Sequence, residues 1–251
     1  MRRLVTLIIS SFILIAVHAQ VDSTSYVLGN ILYEQGNYAE AIKVYQNIID
    51  DKGYSAELNY NLGNCFYKTG DIGNCILNYE RALQLDPGND DIQYNLDLAN
   101  LRIRDKLSPV EEVILAIWWR NIINLFTTQT WAILTVLFAW IALIGFFFYR
   151  FNRKIIIQKT GFYLFAGFFI LFVFSLVIAF SSHTWHQHHQ YAIVMEPSSI
   201  LKSEPNESST NLTLIHEGLK IQVMDVQDNW TEIKMADGNV GWLLTSTIEK
   251  I

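Results

Sequence analysis

Shifted by 34 residues, the chain overlays itself. Gly29 falls on Gly63, Asn30 on Asn64, Gly36 on Gly70, Ala41 on Cys75 and Tyr45 on Tyr79, and the "YNL" of 60–62 returns at 94–96. A repeated unit of this length is one supersecondary element whose apolar face cannot be buried alone, so the copies must stack. Gly63 stands in the middle of "NYNLGNCFYKTGD", which otherwise reads as an amphipathic helix. Glycine there costs about 1 kcal/mol against alanine, so the helix must gain a close approach from the missing side chain.

The pattern resembles the tetratricopeptide repeat, a helix–turn–helix unit. The second copy matches at Leu62, Gly63, Phe66, Gly70, Cys75, Tyr79, Ala82 and Pro87. The first is looser, with Ile48 and Gly53 where alanine and proline are usual. The resemblance implies that Gly63 faces Cys75 and Gly29 faces Ala41, locking each helix pair. Gly36 and Gly70 end the first helices as C-caps. "DDIQYNLDLANLRIRDKL" supplies a closing helix with Ile92, Leu96, Ala99 and Ile103 on one stripe. By family register the concave face carries Tyr26, Asn30, Tyr33, Asn64, Tyr67, Lys68, Tyr94 and Arg102. Tyrosine and asparagine in a groove suit a peptide, offering rigid contact area and amide hydrogen bonds. A solvated face without ligand is the other reading. The basic clamp some relatives use for carboxylates is missing, since Tyr26, Asp91 and Asn95 occupy its places. Cys65 and Cys75 replace alanine in the pattern and read as small buried hydrophobes, with neither a disulfide framework nor a zinc spacing.

The 251 residues are 51% hydrophobic, more than a soluble domain of this length needs, and the excess is local. Residues 131–149 and 160–182 carry no charge and are long enough to cross a bilayer. Between them, Arg150, Arg153, Lys154 and Lys159 stand without an acid, which makes this short loop cytoplasmic and puts both flanking regions on the other side. "MRRLVTLIISSFILIAVHAQ" reads as a secretory signal peptide with cleavage before Gln20, and an uncleaved anchor is its alternative. The two arguments agree on sidedness. In "SPVEEVILAIWWRNIINLF", Ser108, Pro109 and Glu111 form a helix start, and Trp118, Trp119 and Arg120 suit the headgroup level. That helix is either interfacial or a plain linker. "HTWHQHHQY" gathers His183, His186, His188 and His189; it reads as a polar linker, and a metal site is the weaker alternative.

The last 60 or so residues change style to short alternating runs split by turns, with Asp237-Gly238 as a hairpin signal. Glu217, Gly218, Trp230, Ile233, Asp237, Gly238, Gly241 and Trp242 resemble bacterial SH3-like domains. In that family the two tryptophans are mostly core, and cell-wall or peptide ligands are common.

The expected organisation is therefore a multidomain membrane protein. Residues 1–19 are the signal peptide, 20–107 an all-α tetratricopeptide solenoid and 108–128 an interfacial helix. Transmembrane helices at 129–149 and 160–182 flank a cytoplasmic loop at 150–159. A His-rich linker at 183–190 leads to a small all-β SH3-like barrel at 191–251. This order resembles the BatE-type proteins of the Bacteroidetes aerotolerance operon. The resemblance implies a complex with von Willebrand factor A-domain membrane proteins at the inner membrane, with both soluble domains periplasmic. No catalytic constellation, phosphate loop or cofactor motif is present. The net charge of −6 and the lack of a basic patch argue against nucleic acid. The expected activity is a scaffold that binds partner proteins and contacts lipid. A peptidoglycan-binding envelope protein is the runner-up, and a metal-handling or sensor protein the third reading.

Overall fold

The computed structural model describes residues 23–108, 110 and 113–251. The signal-peptide reading, together with Pro109 and Glu111, lies outside them. Five helices form the N-terminal region: α1 (Ser23–Glu34), α2 (Tyr38–Lys52), α3 (Ala56–Thr69), α4 (Ile72–Leu85) and α5 (Asp90–Asn100). Local chemistry sets their ends. Ser55 caps α3 by accepting the Leu58 N–H, and Asp71 caps α4 through the Asn74 N–H. Gly70 adopts a left-handed conformation that lets the N–H groups of Gly70 and Asp71 return to the Phe66 carbonyl. Gly36, also at positive φ, ends α1, with its N–H on the Tyr33 carbonyl and that of Asn37 on the Leu32 carbonyl. The expected stripe closes the array: Ile92, Leu96 and Ala99 are buried, and Ile103 packs against the same core just past α5.

Two long apolar helices follow, α7 (Thr128–Phe151) and α8 (Ile155–His188), after the short α6 (Ile114–Ile123). Mean hydropathy reaches 2.4 in α7 and 2.6 in α8, yet only 22% and 11% of those windows are buried. A core helix of a soluble protein would be covered; these are long and apolar enough to cross a membrane and are mostly bare. They pair through small side chains at seven-residue spacing. Thr128 meets Ser182 at 2.7 Å, and Thr135 donates to Ser175 at 3.1 Å. Further along, a Cβ on Gly145 would stand 2.6 Å from the Phe165 nitrogen, and one on Gly161 2.5 Å from the Tyr149 nitrogen. Close backbone approach is how helices associate where no hydrophobic drive exists between them.

Two expectations about this region change. The basic loop of 150–159 shrinks to a turn at Asn152–Lys154, because α7 runs through Arg150 and α8 already includes Lys159. The His-rich stretch of 183–190 is the last turn of α8 as far as His188, so it is mostly helix and not a linker. The helix of this segment, α6, starts at Ile114 after Val113, and the start expected at Ser108, Pro109 and Glu111 falls largely outside the described residues. The chain before it is held on the C-terminal sheet, with Leu107 against the sheet core and the Val110 N–H on the Ala236 carbonyl.

The C-terminal region is a seven-stranded antiparallel sheet: β1 (Gln190–Val194), β2 (Ser198–Lys202), β3 (Asn211–His216), β4 (Lys220–Gln227), β5 (Trp230–Lys234), β6 (Val240–Leu244) and β7 (Ile248–Lys250). The strand order is β3-β2-β6-β5-β4-β1-β7. Ile221, Ile233, Leu201 and Leu243 form its core. Trp242 is buried as expected; Trp230, at the start of β5, is only partly so.

The sheet docks onto the helical array. Ile193 is fully buried in the core of the array, with Met195 and Ile251 beside it. Gly218 brings its backbone within van der Waals reach of Ile72, Ile76 and Ile103. Around this apolar centre Lys220 pairs with Glu80 at 2.6 Å, and Arg81 pairs with Glu249 at 3.0 Å while donating to the Lys250 carbonyl. Asp105 grips His216 twice, at the backbone N–H and at Nδ1. Exchanging the charges tests the dock. Glu80→Lys and Lys220→Glu should each lower the melting temperature of the solubilised chain. The double exchange should recover most of the loss, a coupling of roughly 0.5–1 kcal/mol for a pair open to solvent on one side.

Candidate functional site

Glycine in the middle of α3 is explained by a tyrosine. A Cβ at Gly63 would sit 2.5 Å from the ring of Tyr79, and one at Gly29 would sit 2.4 Å from the ring of Tyr45. The expected partners Cys75 and Ala41 are themselves fully buried, but the atoms lying over the glycines belong to the tyrosines one turn further along. Each ring crosses the first helix and reaches the other side. There the Tyr45 hydroxyl donates to Asn30 Oδ1 at 2.6 Å, and Tyr79 donates to Asn64 Oδ1 at 2.7 Å.

The next first helix completes the pattern. Asn61 Nδ2 donates to the Tyr26 hydroxyl and to Asn30 Oδ1. One repeat later Asn95 Nδ2 donates to the Tyr60 hydroxyl and to Asn64 Oδ1. Tyr26 in turn donates to Glu57. Burial, followed by that carboxylate, pushes the Tyr26 hydroxyl up to about 12. Burial likewise raises Tyr33, Tyr45 and Tyr79, so these hydroxyls stay protonated, and those of Tyr45 and Tyr79 act as fixed donors. Both thiols are free and buried, and burial lifts each to about 12.

Asn30 and Asn64, expected as ligand contacts, are therefore partly committed to the fold. Each amide oxygen is occupied; Asn30 is also hydrogen-bonded to Tyr26, while Asn64 Nδ2 donates to no partner among the described residues. Tyr60, Asn61 and Asn95 were missed, although the same 34-residue shift relates Tyr26 to Tyr60 and Asn61 to Asn95. Tyr26, Asn30, Tyr33, Glu34, Tyr45 and Asn61 line a cleft of about 260 Å³. Tyr33 packs edge-on against Tyr38. At the other end the Arg102 guanidinium lies 3.7 Å over the Tyr67 ring, so this cation is engaged within the chain. Lys68 is exposed with no ion pair among the described residues, and Tyr94 is 65% exposed.

The side chains of two of the four histidines, His183 and His189, are described. His189 stacks on Trp185 at 3.8 Å and turns its Nδ1 to the Trp185 carbonyl, while His183 is exposed. The side chains of His186 and His188 lie outside the described residues. Among the described residues no group of three or more His, Cys, Asp or Glu is placed to hold a metal ion.

With this geometry in hand, known families can be compared. The family described as TPR repeat matches residues 29–70, and the family described as tetratricopeptide repeat matches residues 56–89. This segment carries tetratricopeptide repeats. A search of curated proteins finds no match to the chain. Such repeats form a non-catalytic fold for protein–protein interaction, which fits a non-enzyme. The tyrosine-over-glycine contact is open to test. Gly63→Ala should destabilise the solubilised chain by about 1–3 kcal/mol through overpacking. In a Tyr79→Ala background the same change should cost almost nothing, as read by thermal unfolding followed by circular dichroism.

Proposed function

We propose that this protein is a membrane-anchored scaffold that recruits a partner protein through the cleft between its first helices. The observation that carries this reading is the cleft itself, where the Tyr26 and Tyr33 rings stand beside the amides of Asn30 and Asn61. Asn64, whose Nδ2 donates to no described residue, follows one repeat later. Amides recurring in each repeat suit the carbonyls of an extended peptide, and tyrosine rings give contact area at low entropic cost. Lys68 adds a cation toward one end, favouring an acidic or carboxylate-bearing segment there.

In this reading α7 and α8 span the membrane, with Arg150, Arg153, Lys154 and Lys159 at the cytoplasmic end. The array and the sheet, docked on each other, share the opposite, periplasmic side. α6 lies at the interface: Ile114, Leu115 and Trp118 are exposed, and Ile123 packs on Ile178 and receives a hydrogen bond from Trp131 Nε1. The sheet is read as SH3-like, and the whole as a BatE-type component of an aerotolerance complex whose partners are von Willebrand factor A-domain membrane proteins. A second reading gives the sheet the binding role, toward cell wall or peptide. It is favoured by the exposed, paired Ile200 and Leu214 and by Leu212 at the sheet edge.

Tyr33→Ser with Lys68→Glu leaves the hydrogen bonds of Asn30 and Asn64 in place. The pair should keep the melting temperature near that of the parent and reduce co-purification of von Willebrand factor A-domain partners from crosslinked membranes. If those partners survive this change and vanish with Leu212→Glu and Leu214→Glu, the sheet is the recruiting surface. Sidedness is tested separately. In a Cys65→Ala, Cys75→Ala chain, a cysteine at Asn206 should react with an impermeant maleimide in intact spheroplasts and one at Asn152 should not; the reverse pattern overturns the periplasmic placement.

A further inference from the structure

A second groove, of about 380 Å³, runs along the second helices of the repeats, α2 and α4. Its floor includes Leu62, Phe66 and Leu77, and amides from Gln46, Asn47, Asn74 and Asn78 line it. The repeat register makes Asn78 anomalous. Its counterpart 34 residues earlier is Val44. Asn78 is only 6% exposed, and its Nδ2 donates to the Asn74 carbonyl at 2.8 Å. Its Oδ1 accepts no hydrogen bond among the described residues. Asn59 falls on the same stripe of α3 as Leu62 and Phe66, and its Oδ1 is fully buried without a partner. Asn78 Oδ1, unlike Asn59 Oδ1, is not sealed off and stays reachable from the groove, and the first repeat shows that valine can occupy the Asn78 position.

We propose that this groove is a second binding site, for an extended segment of a partner protein. The segment lays an apolar side chain on Leu62, Phe66 and Leu77 and donates a backbone N–H to Asn78 Oδ1. The chemistry favours a peptide over an anionic small molecule. Arg81, at the end of the groove, is already held by Glu249 and the Lys250 carbonyl. Lys43 then remains as a single lining cation, with Asp50 also in the lining. That is too little positive charge for a phosphate, whereas amides over an apolar floor match a peptide main chain and its side chains. The site uses the second helices, so it does not depend on the reading of the cleft between the first helices.

The test is a selection of phage-displayed random 12-residue peptides on the full-length chain in detergent micelles, with the enriched peptides then synthesised as probes. Peptides specific for this groove should bind the parent and the Tyr33→Ser, Lys68→Glu variant alike. They should lose at least tenfold in affinity for Asn78→Val and weaken on the exposed-rim change Asn47→Ala. Asn78→Val itself should melt no lower than the parent, because the first repeat carries valine, Val44, at the same place. The proposal is overturned if no enriched peptide distinguishes Asn78→Val from the parent, or if Asn78→Val melts lower, which would make Asn78 a folding residue. Peptides that follow only Tyr33→Ser, Lys68→Glu would also overturn it, while supporting the first cleft.

Discussion

A tyrosine ring laid across a glycine organises the helical half of this protein. Tyr79 passes over Gly63 and Tyr45 over Gly29, each ending in a hydrogen bond to an asparagine on the far side of the first helix. Any side chain at either glycine would separate the pair. The contact sets the distance between helices and, through the hydroxyl, the rotamer of the asparagine. It therefore limits what the cleft can offer a ligand: the amide oxygen of each asparagine is already taken by the tyrosine hydroxyl.

The second organising element is the dock between array and sheet. α8 leads into β1 with only His189 between them, and Ile193 on that strand is buried in the array. Both ends of the apolar hairpin therefore return to one body. A bilayer crossed by α7 and α8 would have the array and the sheet on the same side whichever way the hairpin inserts. The dock also alters how the chain can be dissected. Removing the sheet would strip Ile72, Ile76 and Ile103 of their cover, so loss of partner binding in such a deletion would not identify the sheet as the binding surface. Point changes on its exposed face avoid that ambiguity.

The small residues along α7 and α8 follow from the same economy of space. Thr128, Thr135 and Gly145 face Ser182, Ser175 and Gly161. Hydroxyls that bond across the seam satisfy each other where water is absent, and the glycines let backbones touch. Bulky residues elsewhere on both helices remain on the outside. This is the arrangement expected of a pair whose outer surface meets hydrocarbon and not water.

Much of the plan was legible in the sequence. The 34-residue shift located both helix pairs and their glycine caps, because φ > 0 and helix periodicity leave local marks. The two uncharged runs marked the hairpin, since a bilayer-length helix needs only composition. The strand-rich character of the last region showed in its alternation. That the Tyr79 ring lies nearest to Gly63 was not legible, because position in a repeat gives the facing helix, not how far a large ring reaches. That Leu107 and Val110 are taken up by the sheet had no local mark, because it is a long-range contact. The same limit governs function. The sequence by itself determined the modules and the residue types on the concave face. Only the tertiary structure decided which asparagine atoms remain free, that Arg102 is already engaged by Tyr67, and that array and sheet form one body. Those outcomes depend on which side chains meet across distances that no local pattern encodes.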